Sequence, residues 1–181
     1  MGSEKWEPRL EEPRDVGIMY HCTGKNVEGL WHVFMMGLEN QISESTSGDL
    51  FLVPNYDYTI WPIGKARIDP EGKWDPTASL VDVGGDQQGV RQQRSKNYES
   101  KKDEWTTMEV YTLGTSAIHL VNGNVVMVVE NTGIKYPDET TVPLSKGKIQ
   151  LQSEGAEAYY RRATIQKITE IPAEIKAAAG L

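Results

Sequence analysis

SAIHLV–NG–NVVMVVE, residues 116–130, reads as two apolar strands joined by a two-residue turn. Asn122-Gly123 suits the hairpin turn that needs positive φ at both central positions. The second arm, from Val125 to Val129, is apolar on both faces, which places it in the middle of a sheet covered on both sides. Working outward, further short β-type runs appear at 17–21, 35–43, 49–53, 106–113, 148–152 and 158–168. Seventeen glycines and nine prolines punctuate the chain at short intervals, and helix signals are scarce. Many short strands separated by turn residues predict an all-β sandwich or jelly roll.

The chain reads as one β-sandwich domain over residues 1–170. Within it, residues 64–104 are polar, lysine-rich and broken by Gly and Pro, and are expected to form a long loop excursion. Residues 171–181 are expected to be a short helix or a loose C-terminal tail.

At 181 residues the chain is long enough for one domain with a genuine core. With 38% hydrophobic and 25% charged residues it belongs to the soluble globular class. A net charge of −7 argues against nucleic acid and anionic membrane surfaces as partners. The single cysteine, Cys22, permits no internal disulfide and is expected to be a buried, inert thiol. The stretch MGSEKWEPRLEEPRD, residues 1–15, has no apolar core and does not read as a signal peptide, and no apolar run in the sequence is long enough to span a membrane. The compartment stays undetermined.

Two segments carry groups suited to chemistry. In GLENQI, Glu39 and Gln41 share one strand face, opposite Leu38, Asn40 and Ile42. In GKIQLQSEGAEAYYRR, residues 147–162, Gln150, Gln152 and Glu154 alternate with Ile149, Leu151 and Ser153. Either row could line a sugar-binding surface or be an ordinary solvated sheet face. Arg161 and Arg162 are expected on opposite faces of a closing strand, one toward a carboxylate or substrate hydroxyls and one toward solvent. His119 lies within the hairpin strand, where it is a proton-transfer group or a structural histidine. His21 ends a strand just before a glycine loop. Trp31, Trp61, Trp74 and Trp105 could stack on sugar rings, although Trp105 reads more simply as core. The histidines are not at helical ligand spacing, so no dedicated metal site is implied.

Four segments in order resemble the 3-keto-disaccharide (3-keto-glucoside) hydrolase domain family. They are DVGIMYHCTG, GLENQISESTSGDLFLV, DEWTTMEVYTLGTSAIHLVNGNVV and GKIQLQSEGAEAYYRRATI. The chain departs from the family pattern at Val16 (usually serine), Thr106 (usually asparagine) and Arg162 (usually asparagine). The family domain also begins with further strands, so this chain starts near an early-middle strand. Open sheet edges would then favour self-association into a homo-oligomer.

The resemblance implies a concanavalin A-like jelly roll of two antiparallel sheets, with a site formed by Glu39, Gln41, His119, Gln152, Glu154 and Arg161. Tyr20 and His21 join Gln41 and Gln152 as substrate-binding groups. The implied activity is that of a hydrolase or lyase on 3-keto-glucosides, working by C2 proton abstraction and β-elimination. His119 or Glu39 is then the base and Glu154 the acid. Arg161, or a divalent cation held by carboxylates, stabilises the enolate; no other cofactor is evident. The implied partner is a small carbohydrate or glycoside. The alternative is a non-catalytic carbohydrate-binding module on the same fold. Family members are often periplasmic or secreted.

Overall fold

In the computed structural model, which describes residues 15–25, 29, 32–153 and 158–181, Asn122 and Gly123 take φ values of 49° and 76°. This is the left-handed pair a tight hairpin requires. The strands, in chain order, are β1 (Asp15–Thr23), β2 (Met36–Ser43), β3 (Leu50–Val53), β4 (Trp61–Arg67), β5 (Leu80–Gly84), β6 (Arg91–Gln92), β7 (Met108–Leu113), β8 (Ser116–Val121), β9 (Asn124–Lys135), β10 (Thr141–Pro143) and β11 (Lys148–Leu151). One helix, α1 (Ala173–Ala179), follows.

The strands form two antiparallel sheets. The first has the order β11-β1-β2-β3-β6, and the second β5-β4-β9-β8-β7 with β10 also pairing β9. Tyr20, Leu38, Leu50 and Leu52 of the first sheet share one core with Ile118, Leu120, Met127 and Val129 of the second. Each such side chain contributes about 1.5–3 kcal/mol by leaving water. The sheets therefore pack face to face as a β-sandwich. Val126–Val129 are all buried. β9 lies between β4 and β8, and α1 packs against it. A strand covered on both faces has no wet side to record in its sequence, hence the unbroken apolar run from Val125 to Val129.

Two segments differ from expectation. Residues 64–104 are not one loop: they hold the end of β4 and all of β5 and β6. β5 is an edge strand with only Val83 buried, so it carries no apolar alternation. Its backbone pairing with β4, not side-chain burial, makes it a strand. Residues 158–168 form no strand. Their aromatic and β-branched composition suits a ladder, but Tyr159 and Ile165 lie exposed at 69% and 83%. The C-terminal stretch carries α1, whose Ala179 joins the core.

Candidate functional site

The first sheet has two faces with different duties. Tyr20, Leu38, Leu50 and Leu52 turn inward, and the Asn40 amide donates to the Glu109 carbonyl of the second sheet at 3.2 Å. Alternation sends Gly17, Met19, Glu39, Gln41 and Phe51 to the outer face. Register then aligns them across strands. Met19 stands opposite Gln150 and Glu39, Glu39 opposite Phe51, and Phe51 opposite Arg91. Directly opposed residues share a face, so Gln150, Met19, Glu39, Phe51 and Arg91 form one row.

The neighbouring row centres on Gly17, opposite Gln41. The Gln152 backbone N–H donates to the Gly17 carbonyl at 3.1 Å. A Cβ at position 17 would overlap the Glu39 carboxylate and come within 2.6 Å of Gln152 Oε1. The missing side chain is what lets both groups lie over the strand. Glu39, Gln41 and Gln152 are buried, and Gln152 Oε1 has no hydrogen-bond partner. The Tyr160 hydroxyl donates to the Gln152 carbonyl at 2.8 Å and lies 3.5 Å from the Gly17 carbonyl. Burial, and then the Glu39 charge, push this phenol above its ordinary pKa. Gln41 Nε2 donates to Asp15. Burial raises the Asp15 carboxyl, against opposing pulls from Gln41 and the Arg91 charge.

Beyond Glu39 the outer face is apolar, with Met19, Cys22, Phe34, Met35 and Val53 in a small second cluster. Gln150 pins the adjoining loop over it: its Oε1 accepts from Met35 N and its Nε2 donates to the Val33 carbonyl, both at 2.9 Å. Cys22 is buried there, and burial pushes its thiol up to about 12.

A sequence profile of the 3-keto-alpha-glucoside-1,2-lyase-like domain matches residues 4–166. The chain belongs to this family. No curated protein matches, and no solved structure matches. Membership in the lyase-like family ties the chain to carbohydrate chemistry, and the match spans both sheets.

For this lyase-like domain, the structure sorts the expected site residues into separate places. Glu39, Gln41 and Gln152 come together around Gly17. Tyr20 and His119 meet on the other side of the same sheet: Tyr20 Oη lies 2.7 Å from His119 Nε2, and His119 Nδ1 lies 3.1 Å from the Gly48 carbonyl. His119 is completely buried, and burial lowers its pKa to about 4. It faces the interlayer core, not the Glu39 face. His21 sits at the β1 bulge with φ 50° and Nδ1 unpartnered. Burial lowers its pKa, against a hydrogen bond to the Leu144 carbonyl. The Arg161 guanidinium lies 3.9 Å over the Trp105 ring, and Trp105, expected in the core, is about half exposed at 48%. Glu154 lies outside the described residues. Among the described residues, no three His, Cys, Asp or Glu side chains are placed to hold a metal ion.

Asp15, Gly17 and Arg91 belong to this constellation and were not singled out by sequence. Gly17 had a readable signal, a lone glycine inside a strand, which marks close approach by another group. Arg91 had none, because β6 is two residues long.

Proposed function

We propose that this chain cleaves 3-keto-glucosides by β-elimination, with Glu39 as the base. The observation that supports this is the pairing of the Glu39 carboxylate with the unpartnered Gln152 Oε1 over the bare Gly17 backbone. A C3 ketone acidifies the C2 hydrogen. Glu39 takes that proton, and the C2–H electrons enter the enolate. The enolate re-forms the ketone as C1=C2 forms and the C1–O bond breaks. The Tyr160 hydroxyl protonates the departing oxygen. Water then adds across C1=C2, returning a hydrogen to C2 and placing hydroxyl on C1. The Gln41 and Gln152 amides hold substrate hydroxyls.

The near-complete burial of Glu39 favours a second reading, a module that binds sugar without cleaving it. Incubation with a 3-keto disaccharide separates the two. Release of the leaving sugar, with loss of the C2 deuterium from labelled substrate, supports the enzyme, and Glu39→Gln should abolish both. Saturable binding with no release and no deuterium loss supports the module.

A further inference from the structure

Lys73, Arg91, Arg94, Lys96 and Asn97, with the single carboxylate of Asp49, line a cleft of about 340 Å³. It lies between the β2–β3 turn and the segment after β6. In a chain of net charge −7, four cations in one cleft against one carboxylate is a local inversion of sign. Asp49 is fully engaged: Oδ2 takes Arg91 Nε and Nη2 at 2.8 and 2.7 Å, and Oδ1 takes the Arg94 amide at 3.0 Å. The Arg94 guanidinium is used up on the Ser45 and Ser47 carbonyls and on Glu99. Lys73 has only a 3.5 Å exposed contact with Glu71, and Lys96 makes no ion pair among the described residues. Lys96 is thus left uncompensated, and Lys73 is offset only by its long, exposed pair with Glu71.

Arg91 belongs to the cleft and to the Glu39 row alike. Its guanidinium lies 5.7 Å from the centre of the Phe51 ring, and Phe51 stands opposite Glu39. Two strand spacings, roughly 10 Å, separate Arg91 from Glu39. A second sugar joined at C1 of the reacting ring would cover that span.

We infer that this cleft binds the anionic group of an acidic sugar, a carboxylate or a phosphate ester, carried on the leaving side of the substrate. The anion site stands on the cleft itself; the leaving-side assignment rests on the reaction proposed above. Backbone-amide NMR titrations with D-glucuronate, D-glucose 6-phosphate and neutral D-glucose test the site without turnover. At least one anion should bind about tenfold tighter than glucose, shifting the amides of residues 93–97. Whichever anion does so identifies the acidic group. A Lys73→Glu/Lys96→Glu variant, with an unchanged unfolding midpoint, should lose that preference. Equal binding of all three sugars, or a preference that survives in the variant, would overturn the site. In the cleavage assay the same variant should lower kcat/KM for an acidic leaving sugar and spare a neutral one; equal effects on both would overturn the leaving-side assignment. Failure to cleave any disaccharide would sink the elimination reading and the leaving-side assignment together, while the titration still decides the anion site.

Discussion

The Tyr20 phenol and the His119 imidazole meet at 2.7 Å between the two sheets, although 99 residues separate them in sequence. With Nδ1–H donating to the Gly48 carbonyl, Nε2 is left to accept the Tyr20 proton. The histidine therefore ties β1 and the β2–β3 turn to the second sheet, and it does so in the neutral form. Burial holds its pKa near 4, and burial with the nearby Cys22 pushes the Tyr20 phenol well above its usual range.

Because the folded His119 pKa is depressed, stability should fall in acid. The unfolded ring takes its proton near 6.5 and the folded ring only near 4. The contribution is fully present above 6.5 and is lost as pH drops through that window, about 3 kcal/mol in all. Urea unfolding of the wild type and His119→Gln at several pH values reads this directly. The gap between the two should shrink by about that amount from pH 6.5 to 4. A gap independent of pH would show that the ring does not titrate there.

Gly17→Ala should separate stability from function. The added methyl meets the far ends of the Glu39 and Gln152 side chains, which can swing aside. The expected stability loss is about 1–2 kcal/mol, whereas displacement of the base should cost about 100-fold in sugar release. Denaturant melts and a release assay on the same preparation check both. Unaltered release would remove Glu39 from its proposed role.

Tyr160→Phe keeps the ring and removes the proton donor. We expect kcat to fall about 100-fold with little change in KM. The raised phenol pKa adds a pH signature: any alkaline loss of kcat due to Tyr160 should lie above the range of an ordinary phenol. A pH–rate profile checks it.

Arg94 binds the Ser45 and Ser47 carbonyls and Glu99 from a side chain that is only 8% exposed. Arg94→Ala leaves those acceptors unpaired and should cost about 3–5 kcal/mol in urea unfolding. Arg94→Lys should recover less than half, since an ammonium cannot reproduce the planar fork.

Cys22 should resist thiol reagents in the folded protein, because its pKa of about 12 leaves almost no thiolate at neutral pH. Labelling should begin only as urea unfolds the chain. Fast native labelling would show that the second apolar cluster opens.

The Asn122-Gly123 hairpin, the doubly covered valines of β9 and the shared face of Glu39 and Gln41 were legible because each depends on local backbone geometry. A period of two and a left-handed turn are set by neighbouring residues. The family resemblance was legible for a related reason, four local segments in a fixed order. Alternation divides a strand into two faces but does not say which face meets the other sheet. Only the packing of the two sheets decided that His119 and Tyr20 close the interlayer core while Glu39 and Gln152 stay on the outer face. Pairing partners are likewise non-local. β5 is a strand because it pairs along the edge of β4, and residues 158–168 are not one because they pair with no strand. Arg91 reaches the Glu39 row through a two-residue strand that no sequence pattern marks.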